Sequence, residues 1–277
     1  MTENTPSLIN SNQDSVPLTL SSKRQHRVRA IFVSDVHLGT KDSKAQLLNE
    51  FLKHYRCETL YLVGDILDGW KMRTGIYWIS DFNKVIRRLL KMSKRGVKVM
   101  YITGNHDEFL RKHANNRFDN IHLINRCEHT SVSGSRFLVL HGDQFESVTH
   151  AHRWLHYVGD FGYDFLMWAN RLFNRWRARY GYGYWSFAGY LKQHLHTAQK
   201  YIDLYEDAVA QGAHKGGYHG VICGHIHQAA HKQLHGVTYM NTGDWVESCT
   251  AVVEELDGTM RLVFWLRERQ QFAKSAI

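Results

Sequence analysis

The chain of 277 residues has little proline and little cysteine. Both prolines, Pro6 and Pro17, fall in an N-terminal stretch rich in Ser, Asn, Thr and Gln, which is predicted to be disordered. None of the four cysteines belongs to a C-x-x-C pair. Because a chain of this length does not depend on disulfides, the sequence indicates reduced, buried thiols of the kind found in cytosolic proteins.

Long apolar runs and an excess of acidic residues are also absent. No window is apolar over the ~18 residues that a membrane-spanning helix needs, and no charged start followed by an apolar core indicates a secretory signal. The formal net charge is +9, which favours acidic partners such as nucleic acid, anionic lipid headgroups or phosphorylated substrates. Composition does not choose among these three.

What the chain does have is a short apolar run that ends in two metal-ligand side chains. Residues 30–39 read AIFVSDVHLG, so that Asp35 and His37 follow a predicted buried strand. In an extended chain residues i and i+2 point the same way, and the two side chains are therefore expected to converge. A buried carboxylate such as Asp35 needs a positive partner. A strand that simply ends in a polar turn is the plain alternative.

The same arrangement recurs after four more predicted strands. Asp65 follows residues 59–63, Asn105 and His106 follow 97–102, His141 follows 137–140, and His225 and His227 follow 221–223. These are oxygen and imidazole donors without a thiolate, a set that suits Mn²⁺, Fe or Zn²⁺ better than Ca²⁺. Each group alone has a plain structural explanation, but five in chain order predict a site for two metals with one bridging carboxylate.

The order of the elements predicts an α/β fold. Helical spacing over residues 43–55 and 79–92 separates the early strands, and Gly96 is predicted to end the second helix. The later strands, predicted at 237–240, 251–254 and 261–266, have no helices between them. This pattern predicts either one mixed sheet or two packed sheets, flanked by helices. The polar groups then lie at strand ends, where ligands bind in such sheets.

Residues 150–217 differ in character from the rest of the chain. Aromatic residues recur there at three- and four-residue steps, arginines cluster behind them, and a second helix is predicted over about 186–211. One interpretation is a helical hairpin whose aromatics pack on each other and on the core. The other is a lid for a lipid-like substrate, because apolar residues surround the helix at 161–168 and a basic, aromatic-rich helix is typical of an interfacial segment.

The combined series D-x-H, G-D, G-N-H-D, H-G-D and G-H-x-H resembles that of the calcineurin-like metallophosphoesterases over residues 29–266. Three stretches are most similar to the bacterial UDP-2,3-diacylglucosamine diphosphatase family: GDILDGW at 64–70, HGDQFE at 141–146 and GHIHQA at 224–229. The resemblance implies a four-layer αββα sandwich of two mixed sheets with a helical insertion. It divides the chain into a disordered tail at 1–26, a core at 27–149 and 218–270, and an insertion or lid at 150–217.

The resemblance also implies roles for single residues. It assigns Asp35, His37 and His227 to a first metal, Asn105, His141 and His225 to a second, and Asp65 to a bridge between them. His106 is expected to contact the phosphoryl group and, with Asp65, to be catalytic. Well-characterised diphosphatases carry arginine where this chain has His106, whereas G-N-H-D is the form of the wider superfamily and of a second branch. The expected substrate contacts are Asn105, Trp168, Arg171, Arg175 and Arg179.

The implied function is hydrolysis of a pyrophosphate with two divalent cations, Mn²⁺ in first place and Fe or Zn²⁺ as alternatives. The implied substrate is UDP-2,3-diacylglucosamine or a similar lipid-linked nucleotide, cleaved to UMP and the lipid sugar 1-phosphate. The implied location is the cytoplasmic face of the inner membrane. Two alternatives stay open: a metallophosphoesterase for a phosphoprotein, a cyclic nucleotide or nucleic acid, and a non-catalytic scaffold, against which the complete ligand set argues.

Overall fold

A computed structural model describes residues 25–149 and 187–274. Nearly all of the predicted tail and most of the predicted insertion lie outside the described residues, and so do Trp168, Arg171, Arg175 and Arg179. The division of the chain into tail, core and insertion therefore stays a prediction.

The described ranges contain fourteen strands and five α-helices. The strands are β1 His26–Arg27, β2 Ala30–Val33, β3 Tyr55–Arg56, β4 Thr59–Val63, β5 Lys98–Ile102, β6 Arg117–Phe118, β7 Ile121–Ile124, β8 Arg126–Thr130, β9 Arg136–Leu140, β10 Gly220–Cys223, β11 Ala230–Leu234, β12 Val237–Asn241, β13 Thr250–Glu254 and β14 Met260–Phe264. The helices are α1 Ala45–His54, α2 Gly69–Thr74, α3 Ser80–Lys94, α4 Phe187–Lys215 and α5 Trp265–Lys274, with 3₁₀ helices at Glu108–His113 and Asp143–Thr149.

Two large mixed sheets make up the core. The first has seven strands in the order β14-β13-β2-β4-β5-β7-β6, with β2, β4, β5 and β7 parallel. The second has five strands in the order β11-β12-β10-β9-β8, with β9, β10 and β12 parallel. The edge strands β6, β8 and β11 run antiparallel to their neighbours. At the other edge of the first sheet, β13 runs antiparallel to both β2 and β14. The sequence predicted either one mixed sheet or two packed sheets, and the second of these predictions is confirmed.

Alternation along the strands divides the apolar residues among three layers of contact. Ile31 and Val33 of β2 pack with helices α1 and α3, whereas Ala30 and Phe32 pack between the two sheets. On the far side of the second sheet, α4 packs through Tyr205 and neighbouring small residues. Three apolar clusters between four layers give the helix–sheet–sheet–helix sandwich that the sequence predicted.

Two kinds of element were predicted wrongly. The predicted strand at 261–266 ends at Phe264, and Trp265 instead begins α5 with its side chain fully buried. A short apolar run does not distinguish a strand from a buried helix, which explains the error. The edge strands β8 and β11 were missed because most of their residues are polar and exposed, as edge strands often are.

Candidate metal centre

Eight predicted site residues lie together at the carboxyl ends of five strands, three from the first sheet and two from the second. They form two neighbouring groups in which the possible ligand atoms lie within 4.8 Å of one another. The groups hold Asp35, His37 and His227 in the first and Asp65, His141 and His225 in the second, with Asn105 beside His141 and His106 beside His37.

The first group brings three ligand atoms to one point. Oδ1 of Asp35 lies 3.2 Å from Nε2 of His227 and 4.0 Å from Nε2 of His37, and the two Nε2 atoms are 3.3 Å apart. The other oxygen, Oδ2, accepts hydrogen bonds from the Ser34 hydroxyl and, at 3.0 Å, from the backbone N–H of His225. Oδ1 is buried and accepts no hydrogen bond from the described residues, so it is available to a cation.

The tautomer of His37 makes a cation the natural occupant of this point. Nδ1 of His37 lies 3.1 Å from Oδ2 of Asp68, and since a carboxylate accepts but does not donate, Nδ1 carries the proton. Nε2 of the neutral ring therefore presents a lone pair toward Asp35 and His227. A carboxylate behind a histidine is the arrangement that orients metal-bound imidazoles.

In the second group a backbone carbonyl, rather than a carboxylate, accepts the hydrogen bond from the far nitrogen of the imidazole. Nδ1 of His141 donates to the carbonyl oxygen of Val63 at 2.9 Å, so its Nε2 is the free lone pair of the neutral ring. That nitrogen faces Oδ1 of Asn105 at 3.1 Å and Oδ2 of Asp65 at 3.3 Å. When His141 is neutral, these three acceptor atoms converge without a proton between them, and either a proton or a metal ion at Nε2 relieves their repulsion.

The electrostatics of both groups favour positive charge. Burial alone would lower the pKa of His141, but the charge of Asp65 raises it to about 10. In the same way burial alone would lower the pKa of His227, but the charge of Asp35 raises it to about 9. Burial would raise the pKa of Asp65, yet the charge of His141 holds it well below its ordinary value. The carboxylates stay ionised and attract either protons or metal ions.

The chain turns sharply at five of the seven predicted ligands. The prediction that an extended chain brings Asp35 and His37 together was wrong, because both have a left-handed backbone, with φ of 52° and 50°. Such a conformation costs roughly 1–2 kcal/mol per non-glycine residue. Backbone hydrogen bonds from Val36 and His37 to the carbonyl of Asp65, at 2.9 and 3.0 Å, hold this turn. The other left-handed ligands are Asp65, His225 and His227.

Asp68 was not among the predicted site residues, although it organises two of them. Its Oδ2 lies 3.1 Å from Nδ1 of His37 and 3.1 Å from Nδ1 of His106, while Oδ1 accepts the backbone N–H of Lys71 at 2.8 Å and so caps α2. Burial would lower the pKa of His106, but the hydrogen bond with Asp68 raises it. An Asp just before a helix is a capping signal, and this signal was the one feature of the sequence that could have drawn attention to Asp68.

Aromatic side chains border the centre on the side of His106. The ring of Trp70 lies over that of His106 with 4.2 Å between centroids, and Trp70 remains 45% exposed. Phe109 contacts Gly69 at the same edge and is 40% exposed. A flat apolar rim of this kind offers a contact surface to a base or to an acyl chain.

The glycines of the motifs leave room for the ligands of neighbouring strands. A Cβ on Gly104 would lie 2.1 Å from Oδ1 of Asp65, and one on Gly64 would lie 2.3 Å from Nδ1 of His141. Real Cβ atoms essentially never come this close. The spacing of the G-D and G-N-H-D motifs therefore reflects packing between strand ends as well as the ligands themselves.

An αββα sandwich with oxygen and imidazole donors at its strand ends defines a class of metal-binding hydrolase folds. Residues 28–229 match the family model described as calcineurin-like phosphoesterase. The chain belongs to the calcineurin-like phosphoesterase family, as its sequence predicted. Membership of this family implies divalent metal ions, and the two groups provide ligands that fit them.

Named relatives match part of the chain. It is 32% identical over 117 residues to UDP-2,3-diacylglucosamine hydrolase of Neisseria gonorrhoeae (strain ATCC 700825 / FA 1090), a match that covers 40% of the chain and 47% of the relative. It is 25% identical over 124 residues to the protein of that name from Histophilus somni (strain 129Pt), covering 42% and 49%. The chain thus spans about half the length of the curated relatives it matches.

Solved structures with a similar fold are more distant. An archaeal phosphodiesterase is 11% identical with a TM-score of 0.39, over 84% of this chain and 98% of that one. Vacuolar protein sorting 29 of Cryptosporidium parvum is 11% identical with a TM-score of 0.41, over 84% and 94%. Among the helices of the described ranges, none has the length and apolar character to cross a membrane.

Proposed function

We propose that this chain is a dinuclear-metal phosphohydrolase that cleaves the pyrophosphate of UDP-2,3-diacylglucosamine, or of a similar lipid-linked nucleotide, to UMP and the lipid sugar 1-phosphate. The observation that supports this most is the convergence of seven oxygen and imidazole donors from five strand ends in two adjacent groups. The relatives named UDP-2,3-diacylglucosamine hydrolase support the choice of substrate.

In this proposal Asp35, His37 and His227 hold one cation, and Asn105, His141 and His225 hold the other, with Asp65 shared. The two ions, Mn²⁺ first and Fe or Zn²⁺ as alternatives, supply the Lewis acidity that polarises the phosphoryl group and activates water. The protein keeps the donors in place through their far-side hydrogen bonds, so that little reorganisation is needed when substrate binds.

His106 acts on the phosphate in this proposal. Oδ2 of Asp68 lies 3.1 Å from its Nδ1 and raises its pKa, so that the protonated ring can donate from Nε2 a hydrogen bond to a phosphoryl oxygen or a proton to the leaving oxygen. Trp70 stacks on the same ring and limits its rotation. Further substrate contacts are proposed for Asn105 and, outside the described residues, for Trp168, Arg171, Arg175 and Arg179.

The proposed location is the cytoplasmic face of the inner membrane. A substrate that carries acyl chains resides in a bilayer, and the net charge of +9 favours an anionic lipid surface. Sedimentation of the protein with anionic vesicles, but not with neutral ones, is the expected result.

The direct test is UMP release from UDP-2,3-diacylglucosamine by the purified, Mn²⁺-loaded protein. We expect turnover in the wild type, loss of at least about 100-fold in Asp65→Asn, and full activity in Asp81→Asn, a surface carboxylate paired with Lys84. No turnover of this substrate with Mn²⁺, Fe²⁺ or Zn²⁺ would contradict the proposal.

His106 supports a second candidate, a phosphoesterase for another class of ester, since the wider superfamily shares the G-N-H-D motif. A panel of bis(p-nitrophenyl) phosphate, a cyclic nucleotide, a phosphopeptide and DNA separates the two candidates. A higher kcat/KM on one of these than on the lipid-linked nucleotide would favour the second. Metal-loaded protein without activity on any of them would instead point to a scaffold.

A further inference from the structure

A cavity lies at the opposite end of the first sheet from the metal centre. Its lining residues Val28, Glu58 and Val97 precede strands β2, β4 and β5, whose carboxyl ends carry the ligands. With a rise of about 3.3 Å per residue, these strands separate the two places by at least ~13 Å. The cavity has a volume of about 600 Å³.

Four arginines line this cavity, which we call the arginine pocket: Arg27, Arg56, Arg88 and Arg95. They come from four places in the sequence, namely β1, β3, the middle of α3 and the residue that follows α3. One carboxylate, that of Glu58, lies in the same lining. The charges in the lining therefore sum to a strongly positive value.

The arginines are placed against one another rather than against acids. Arg27 and Arg56 are direct register partners in the parallel β1–β3 ladder, where like charges repel. Burial lowers the pKa of the half-buried Arg88, and the charge of Arg95 lowers it further. Nε of Arg88 donates to Oδ1 of Asn49 at 3.0 Å, and none of the four arginines forms an ion pair with an acid of the described residues.

Part of the pocket lining is apolar, and we call this part the apolar floor. It consists of Val28, Leu52, Tyr55 and Cys57, each at least 95% buried, and of Leu256, which is 53% exposed. A small inorganic anion would leave this floor uncovered. Ligands that fill a cavity of this size are typically organic molecules, because small-molecule sites run from about 300 to 1,000 Å³ and combine apolar walls with a few polar groups.

We propose that the arginine pocket binds an organic diphosphate or triphosphate of nucleotide size, at a site separate from the metal centre. Guanidinium groups bind phosphate oxygens in a bidentate manner, and several of them match a ligand with more than one phosphate. The bound anion removes the repulsion between Arg27 and Arg56, and the apolar floor receives the organic part of the ligand.

The test is calorimetric titration of the full chain with ADP in buffer that contains a metal chelator. We expect one site in the wild type and an affinity at least about tenfold lower in Arg27→Ala/Arg56→Ala, since each lost guanidinium removes charge-assisted hydrogen bonds. Arg87→Ala/Lys91→Ala is the matched control, because it removes the same charge from exposed positions of α3 outside the pocket. We expect it to change affinity less than about twofold. Arg95→Ala provides a second, single-site variant with the same expected direction.

Ligand choice and location have their own controls. AMP should bind more weakly than ADP, adenosine should not bind, and inorganic tripolyphosphate should bind more weakly than ADP because it cannot cover the apolar floor. The metal-centre variant His141→Ala/His225→Ala should bind ADP like the wild type. Equal losses in the two charge-matched double variants, or loss in the metal-centre variant alone, would overturn the proposal, as would the absence of ADP binding.

Discussion

Hydrogen bonds on the far side of each imidazole decide which nitrogen faces the metal-ligand groups. His37 uses the carboxylate of Asp68, which adds negative charge behind the ring, whereas His141 uses the neutral carbonyl of Val63. A carboxylate partner makes the imidazole a stronger ligand than a carbonyl does. The two groups therefore differ in ligand strength. We expect the group with His37 to lose more metal affinity than the group with His141 when the hydrogen-bond partner of its histidine is changed.

Replacement of Asp68 by asparagine tests this role without loss of the helix cap, because asparagine caps a helix as well as aspartate does. We expect metal affinity to fall about 10- to 100-fold, since His37 loses its charged partner. Competition with a fluorescent chelator measures this. Asp42→Asn, at an exposed position, is the control and should leave affinity unchanged. Unaltered metal affinity in Asp68→Asn would show that Asp68 does no more than cap α2.

The glycines at the strand ends give a second prediction at this scale. Gly104→Ala would place Cβ 2.1 Å from Oδ1 of Asp65 and 2.7 Å from its backbone nitrogen, so that the strand ends must move apart. We expect a loss of about 1–3 kcal/mol in the free energy of unfolding, together with weaker metal binding. In Gly75→Ala the new Cβ meets nothing within 4 Å, and its urea midpoint should match the wild type. A stable, metal-binding Gly104→Ala protein would contradict this account.

Most of the predicted ligands could be read from the sequence because each stands directly after a strand. Asp68 could not, since its role arises only where the end of β4 meets His37 from β2 and His106 from β5. Nor was the left-handed backbone of Asp35 predictable, because the signal for that conformation is usually glycine and here the residue is an acid.

At the scale of elements, the strongly apolar strands inside the sheets were predictable, and so was the edge strand β14 as far as Phe264. Strand β7 inside the first sheet and the polar edge strands β8 and β11 were missed. In β4 every second residue faces the helices and the others face the second sheet, so the whole run TLYLV is apolar or nearly so. Strand β11, AHKQL, has three exposed polar residues and pairs on one side within the described sheet. Its strand character comes from pairing with β12, which sequence patterns do not reveal.

Helix α5 shows how an apolar run can belong to a helix, and its first residue gives a prediction. Trp265 is fully buried and its ring contacts Phe51 of α1 at 5.5 Å between centroids. We expect Trp265→Ala to lower the free energy of unfolding by about 3–5 kcal/mol, because a large cavity would form. Phe264→Ala, the preceding and partly exposed position, should cost much less in the same urea experiment. Equal losses in the two variants would contradict the burial of Trp265 at the start of α5.

At the scale of the whole molecule, a buried polar chain joins the two sheets. Nε2 of His129 in β8 lies 2.9 Å from Oε2 of Glu254 in β13, and Nδ1 of His129 lies 3.0 Å from the hydroxyl of Tyr61 in β4. Oε1 of Glu254 accepts hydrogen bonds from the backbone N–H of Val132 at 2.9 Å and from Arg29 at 3.2 Å. The contacts fix the position of one sheet against the other where apolar packing alone would allow sliding.

This chain of contacts predicts a pH dependence of stability. Burial would raise the pKa of Glu254, but the hydrogen bond with His129 and that from Val132 lower it. A lowered pKa means that the stabilisation is complete above the unfolded value of about 4.3 and is lost as pH falls through the folded pKa. We therefore expect unfolding free energy to drop more steeply below pH ~4.5 in the wild type than in Glu254→Gln.

At neutral pH, Glu254→Gln should be less stable than the wild type by about 1–3 kcal/mol, because the substitution alters a buried hydrogen-bond acceptor. Urea titrations between pH ~3 and ~7 measure both effects. Glu128→Gln is the control, since Glu128 forms only an exposed pair with Arg136 at 3.5 Å and such pairs contribute little. Parallel pH curves for the wild type and Glu254→Gln would contradict the prediction.

Strand order in the first sheet has a consequence for synthesis on the ribosome. Strand β2 is made early, yet its neighbour β13 is made more than 200 residues later, and the last two ligands arrive only with the turn after β10. A nascent chain that has emerged as far as His141 displays four strand-end ligands besides His141 but no completed pocket. The pocket can therefore be completed only after synthesis has passed His227. Because contacts between distant segments form slowly, we expect metal capture to follow that point.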